Sequence, residues 1–245
     1  QKSDAPAHVL HDFGPESQAM NQTDWNLPAL IDHTILRPEA TKADVLRLCR
    51  EARQYPFTVI FIPPCYTADA VEAVAGSAVR VGIPIGFPLG GHATRIKVAE
   101  AEEGVRQGAV VLDMVINVSR LKSGDLDAVR QDIAEVVRAT PDAEHKVILE
   151  TCYLTDQEKM TACRLVVEAG ADYVKTSTGF AAGGATAADV RLLKASVGGR
   201  AKVKASGGIR DWQSAREMLE AGADRIGTSA SLKIVEEWSA ATVKR

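Results

Sequence analysis

The sequence predicts a single (β/α)8 barrel, and three observations carry that expectation. After Trp25, short β-branched runs alternate strictly with longer amphipathic stretches. The run Glu168-Ala169-Gly170-Ala171-Asp172 recurs as Glu220-Ala221-Gly222-Ala223-Asp224, with Gln107-Gly108-Ala109 a weaker third copy. Each full copy closes a helix and enters a strand, as the αβ turns of a barrel require. The chain's 245 residues suit a closed barrel, which typically takes ~250. An open doubly wound sheet, the competing α/β architecture, needs fewer strands.

The elements follow in pairs. Ile31–Leu36 is the first strand run, and Thr41–Tyr55 its helix, with Thr41 able to cap and Val45, Leu48, Cys49 and Ala52 on one face. Thr58–Ile62 leads into Thr67–Ala75, Val81–Gly86 into His92–Gln107, and Val110–Val115 into Leu126–Ala139. Lys146–Glu150 leads into Asp156–Ala169, where Asp156 suits an N-cap and Gly170 a helix stop. Asp172–Thr176 precedes Thr186–Val197, and Lys202–Ala205 precedes Asp211–Ala221, again with an acidic cap at Asp211 and a stop at Gly222. Arg225–Thr228 and Ser231–Trp238 complete eight units. Residues 1–24 are polar, contain Pro6, Gly14 and Pro15, and lack the apolar core of a signal peptide. They read as a loosely ordered extension ahead of a barrel spanning 25–245.

Composition excludes several classes. Hydrophobic residues make up 46% and charged residues 25%, as in ordinary globular domains. A net charge of −3 gives no basic field for nucleic acid, and 5% aromatic residues leave little for base stacking. No apolar run approaches the ~20 residues that span a bilayer. The cysteines, Cys49, Cys65, Cys152 and Cys163, form no CxxC pair and have no histidine at zinc-binding spacing. They read as core or surface thiols in a reducing, cytoplasmic setting.

In a barrel the active site forms at the C-terminal ends of the strands. Asp32, His33 and Thr34 fall there on strand 1, Asp113 on strand 4 with Asn117 beyond, and Glu150 on strand 5. Strand 6 offers Lys175 and strand 7 Lys204. A lysine inside a packed barrel must either pair with a carboxylate or lose its proton. A neutral lysine is a nucleophile toward carbonyls, and a second ammonium beside it lowers its pKa further. Asp113 could balance that charge and move protons. The residues alone leave this open against a plain buried ion pair. Lys202, two residues before Lys204, and Lys146, at the start of its run, read as solvated residues of the bottom rim. Glycine-rich turns after strands 7 and 8, Gly207-Gly208 and Gly227-Thr228-Ser229, suit a phosphate cradle; Gly179, Gly183 and Gly184 add to it and Arg210 offers charge. His33 and His92 are possible acid/base groups, although a lone histidine is more often structural. No His/Asp/Glu cluster has metal-ligand spacing, so neither a metal nor another cofactor is expected.

Longer motifs narrow the choice. Val174-Lys175-Thr176-Ser177-Thr178-Gly179-Phe180, Val203-Lys204-Ala205-Ser206-Gly207-Gly208-Ile209-Arg210 and Asp224-Arg225-Ile226-Gly227-Thr228-Ser229 stand at three successive strand ends. Together with Leu30-Ile31-Asp32-His33-Thr34, Gly86-Phe87-Pro88-Leu89-Gly90, Leu112-Asp113-Met114-Val115-Ile116-Asn117 and Lys146-Val147-Ile148-Leu149-Glu150-Thr151-Cys152, they resemble the 2-deoxyribose-5-phosphate aldolase family across Leu27 to Val235. The resemblance implies a metal-free class I aldolase that splits 2-deoxy-D-ribose 5-phosphate into D-glyceraldehyde 3-phosphate and acetaldehyde, in deoxyribonucleotide catabolism. It implies Lys175 as the Schiff-base nucleophile, Lys204 as the group that lowers its pKa, Asp113 as proton shuttle, and Asp32 as support for a substrate hydroxyl or the relay. Gly179, Gly207, Gly208, Gly227 and Ser229 would hold the phosphate. Partners would be small phosphosugars and aldehydes and further copies of the chain, as a dimer or tetramer, with no nucleic acid or membrane. Another Schiff-base aldolase acting on a different phosphosugar, or a barrel that binds without turnover, are the alternatives; the intact Lys175, Lys204 and Asp113 set speaks against the second. The sequence departs from the family pattern at three positions. Phe61 stands where many relatives carry Cys and is expected to reshape the pocket floor. Phe180 replaces a Lys of some relatives, leaving Arg210 or Lys233 to supply phosphate charge. Ala230 stands where some have Ser or Gly.

Overall fold

The computed structural model describes residues 25–243. In chain order its elements are α1 (Leu27–Leu30), β1 (Ile31–Thr34), α2 (Lys42–Gln54), β2 (Val59–Phe61), α3 (Thr67–Val74), β3 (Arg80–Ile85), α4 (Thr94–Arg106), β4 (Val111–Val115), α5 (Val118–Lys122), α6 (Leu126–Ala139), β5 (Glu144–Ile148), α7 (Asp156–Glu168), β6 (Tyr173–Lys175), α8 (Ala187–Val197), β7 (Lys202–Ser206), α9 (Trp212–Glu220), β8 (Arg225–Thr228) and α10 (Ser231–Val243). Short 3-10 turns lie at Pro64–Tyr66 and Thr151–Tyr153. The strands pair in parallel in sequence order, and β8 returns to β1 to close the barrel. The extension expected over residues 1–24 lies outside the described residues.

Local chemistry sets the element ends. Thr41 caps α2 through a reciprocal box, its Oγ1 accepting from Asp44 N while Asp44 Oδ2 accepts from Thr41 N. Asp211 caps α9. The cap of α7 is Thr155 rather than Asp156: its hydroxyl reaches Glu158 N, three residues on, which Asp156 as the first helical residue does not. The two Glu-Ala-Gly-Ala-Asp copies do equivalent work. Their glycines take the left-handed backbone that ends a helix, with φ of +84° at Gly170 and +105° at Gly222. Their aspartates then accept a backbone N–H on the preceding strand, Asp172 from His145 (2.8 Å) and Asp224 from Val203 (2.7 Å).

The alternating faces of each strand divide the interior. Outward residues such as Ile60, Ile83, Leu112, Val147, Val174, Val203 and Ile226 pack under the helices in one continuous apolar layer. Inside the barrel Val59, Phe61 and Val111 form a small separate apolar cluster, beside the buried charges of Asp32, Asp113, Lys146, Lys175 and Lys204.

Several expected element limits are corrected, by one residue at most strand ends and by more at the following places. β1 stops at Thr34, two residues short of Leu36, because its partner β2 ends at Phe61. β5 begins at Glu144, two residues before Lys146, because it pairs with β4 from Val111 onward. The last helix continues past Trp238 to Val243. Between β4 and α6 the short helix α5 is an addition, capped by the Asn117 side chain accepting from Arg120 N (3.1 Å).

Candidate active site

Parallel register brings the charged side chains together. Lys175 of β6 lies opposite Lys204 of β7, and Asp113 of β4 opposite Lys146 of β5. Lys175 Nζ donates to Asp113 Oδ2 at 2.7 Å, and Lys204 Nζ donates to the same oxygen at 2.6 Å. Lys204 Nζ also contacts Asp32 Oδ2 at 2.6 Å, and Asp32 Oδ1 accepts from Arg225 Nε at 2.7 Å. The second oxygen of Asp113 accepts no hydrogen bond among the described residues and lies 3.8 Å from Lys146 Nζ. The hydroxyls and carbonyls of Thr176, Ser177 and Ser206 tie the ends of β6 and β7, fixing the two lysines relative to each other.

Electrostatics then separates the lysines. Around Asp32, Asp113 and Glu144 stand Lys146, Lys175, Lys204 and Arg225, with half-exposed Arg80 also paired to Glu144, so among these residues cations outnumber carboxylates. A dry interior resists surplus charge. Burial draws Lys175 down, Asp113 only partly restores it and Lys204 repels it, leaving its pKa at about 8. Burial acts against Lys204 as well, but Asp113 and Asp32 more than offset it and hold its pKa above the ordinary lysine value. Burial would raise Asp113, yet Lys175, Lys204 and Lys146 keep it a carboxylate. Asp32 is likewise held low against burial, by Lys204, Lys146 and Arg225. The arrangement supplies one amine that is readily neutral, beside a fixed ammonium and a carboxylate with a free oxygen.

Lys146 corrects the sequence reading. It is fully buried rather than solvated at the rim, bonded to Glu144 and lying over the rings of Phe61 and Tyr173. Because β5 starts at Glu144, Lys146 sits mid-strand facing inward; the period-2 pattern counted from Glu144 would have placed it there. Its pKa is lowered by burial, with Asp32 and Asp113 opposing. Lys202 is exposed, as read. Phe61 does not form the cavity floor. It is buried beneath the lysines, its ring 3.9 Å from Lys204 Nζ, and it fills the space that Gly82 leaves on β3.

Above this layer a cavity of 690 Å³ opens at the C-terminal ends of the strands. Lys175 reaches it; Asp113, Lys204 and Asp32 lie below. Asp32 therefore meets Lys204 and Arg225, not the cavity. Gly179, Gly207, Gly208, Gly227 and Ser229 all line the opening. Among the described residues the backbone N–H groups of Gly179, Gly207, Gly208 and Ser229 bond no protein group, so they are available to an anion. Gly207 takes φ +89°, and a Cβ on neighbouring Gly184 would meet Gly207 O at 2.3 Å, so the two backbones touch only because both are glycine. Arg210 and Lys233 stand at the edge; Lys233 pairs with Glu237, and Arg210 has no carboxylate partner among the described residues. Phe180 turns edge-on to Phe87, with 5.2 Å between ring centres. Ala230 lines the cavity beside Ser229, and its N–H is taken by Thr228 Oγ1.

His33 lines the cavity, but its ring is bonded to Glu51 at 3.0 Å and stacked on Phe57. Burial lowers its pKa, with Glu51 opposing. His92 is exposed. Of the cysteines, Cys49 and Cys163 are buried and Cys65 and Cys152 exposed. Among the described residues no group of three His, Cys, Asp or Glu side chains converges to hold a metal, and no helix is long and apolar enough to cross a membrane.

Residues 27–236 match the family model described as DeoC/LacD family aldolase. The chain is 52% identical over 216 residues to a deoxyribose-phosphate aldolase of Caldanaerobacter subterraneus subsp. tengcongensis, covering 87% of this chain and 94% of that one. It is 51% identical over 210 residues to a deoxyribose-phosphate aldolase of Brevibacillus brevis, covering 86% and 95%. A tetrameric deoxyribose phosphate aldolase structure from Aeropyrum pernix superposes with a TM-score of 0.81 at 35% identity, covering 90% of this chain and 93% of that one.

Proposed function

From the premise that this chain belongs to the DeoC/LacD aldolase family, we propose how its barrel carries out the reaction of a class I deoxyribose-phosphate aldolase. The enzyme reversibly cleaves 2-deoxy-D-ribose 5-phosphate into D-glyceraldehyde 3-phosphate and acetaldehyde, a reaction of deoxyribose phosphate catabolism. The observation that carries the assignment of roles is Lys175 opening to the cavity while bonded to Asp113, with Lys204 on the same carboxylate oxygen.

Neutral Lys175 Nζ attacks C1 of the open-chain sugar, and loss of water gives a protonated imine. A base then takes the C3 hydroxyl proton. The C2–C3 bond breaks, its electron pair moves into the imine to form an enamine, and glyceraldehyde 3-phosphate departs. Returning a proton to C2 and hydrolysing the imine releases acetaldehyde and frees Lys175. The iminium is itself the electron sink, so the chemistry asks for no metal. Asp113 moves the protons together with Lys204 and a water, through the Oδ2 atom that both lysines contact. Lys204 stays charged, depresses Lys175 and holds Asp113 in place; Asp32 and Arg225 anchor Lys204 from below. The phosphate sits against the N–H groups of Gly179, Gly207, Gly208 and Ser229, beside Gly227, and Arg210 supplies the charge that Phe180 does not.

The substrates are small molecules. We further propose a cytoplasmic homo-oligomer, a dimer or tetramer, that engages neither nucleic acid nor membrane. Acetaldehyde release from 2-deoxyribose 5-phosphate, assayed in EDTA, tests the function. Turnover is expected to survive the chelator; loss in EDTA restored by zinc or magnesium would contradict the metal-free cycle.

A further inference from the structure

Glu150 is the only non-glycine residue with positive φ among the described residues, at φ +56° and ψ +65°. Left-handed backbone is unfavourable for a side chain of this length and is retained only where surrounding structure enforces it. Here the enforcement is visible on both sides. Leu149 N donates to Lys175 O (2.8 Å), and Thr151 N donates to Thr176 O (3.0 Å), so the backbone either side of Glu150 is fixed to β6 and the residue after it.

The side chain crosses in the same direction. Its carboxylate is buried and accepts Thr178 N at 3.3 Å on each oxygen, and Thr178 Oγ1 donates to Oε2. Thr178 Oγ1 in turn accepts Phe180 N at 3.0 Å. The chain Glu150–Thr178–Phe180 thus commits the two N–H groups that flank Gly179 and leaves the Gly179 N–H uncommitted, with Gly179 lining the cavity at φ +84°. The Glu150 carboxylate is not among the groups that line the cavity. A glycine would relieve the backbone strain at this position but would lose every one of these contacts.

We propose that Glu150 is a positioning residue that sets the loop after β6 so that the Gly179 N–H is presented to the substrate's phosphate group. The proposal rests on the phosphate reading of the cavity given above. Burial raises the proton affinity of Glu150, and the Thr178 bonds oppose that rise. They also account for a carboxyl group remaining at so enclosed a place.

The test compares 2-deoxyribose 5-phosphate with unphosphorylated 2-deoxyribose on wild-type, Glu150→Ala, Glu150→Gly and Glu150→Gln enzymes. For Glu150→Ala, KM for the phosphorylated sugar is expected to rise about 10-fold or more with kcat changed less than about 3-fold, and kcat/KM for the unphosphorylated sugar to stay near wild type. Glu150→Gly relaxes the backbone and is expected to melt above Glu150→Ala while keeping the raised KM. Glu150→Gln retains one acceptor oxygen and is expected to recover part of the KM. If Ala does not fold, the Gly and Gln variants decide. A loss of kcat shared by both sugars overturns the proposal, because Glu150 then acts at the reacting carbons. An unchanged phosphate preference in all variants overturns it too. Wild-type enzyme with no preference for the phosphorylated sugar would instead overturn the phosphate reading itself, and this proposal with it.

Discussion

As the proposed nucleophile, Lys175 acts only without its proton, so its pKa of about 8 makes activity pH-dependent in a definite direction. kcat/KM is expected to rise as pH climbs toward 8, where the protonated, inert form gives way to the neutral amine. Lys204 depresses Lys175, so its removal has the opposite sign. In Lys204→Leu the repulsion disappears, Lys175 holds its proton more tightly, and the acidic limb of the kcat/KM profile is expected to move to higher pH; a limb that stays in place would show that Lys204 does not tune the nucleophile. Asp113→Asn keeps the shape and removes the proton acceptor. Its kcat is expected to fall at least ~100-fold, and a fall under ~10-fold would move the relay to another carboxylate. Residue type on the strands singled out Lys175, Lys204 and Asp113 as candidates and the structure brings them together, while their separate roles came from the family resemblance. Lys146 was not singled out, because Glu144 and His145 look like loop residues until Glu144 is seen paired with Arg80 and Lys146, and His145 with Thr140. The tie from Glu150 to Thr178 was not legible either, since it depends on one left-handed φ and on two loops meeting in space.

At the scale of elements, the interior is built by paired exchanges of volume between adjacent strands. Phe61 on β2 occupies the room left by Gly82, its register partner on β3; a Cβ there would lie 2.7 Å from the ring. Gly82→Ala is therefore expected to push Phe61 toward the lysines. Overpacking of this kind typically costs about 1–3 kcal/mol, which thermal unfolding would register together with reduced kcat. An unchanged melting temperature would show that the ring can move aside freely. The Glu-Ala-Gly-Ala-Asp repeats were legible as turns because glycine is needed for the left-handed helix end. Their second role, in which Asp172 and Asp224 accept a strand N–H, depends on the neighbouring strand and appears only in the folded chain. Strand limits were the least legible feature, because a strand ends where its partner does, and that is a property of two segments.

For the whole molecule, strict β–α alternation leaves little topological choice, so barrel closure was legible where individual ends were not. The buried lysine–aspartate layer and the glycine-lined rim above it lie within the described barrel, whose first buried side chain, Trp25, packs edge-on against Trp212. We propose that residues 25–245 form the catalytic domain. A chain beginning at Trp25 is expected to fold and to keep kcat/KM within about 3-fold of the full chain, and a larger loss would assign residues 1–24 a part in the site. Fold, charge and cavity converge on one atom, Lys175 Nζ. The most direct measurement is borohydride reduction in the presence of acetaldehyde, followed by peptide mass spectrometry. A two-carbon adduct on Lys175 is the result expected. Folded protein with no adduct would contradict the imine mechanism, and an adduct on Lys204 would exchange the roles of the two lysines.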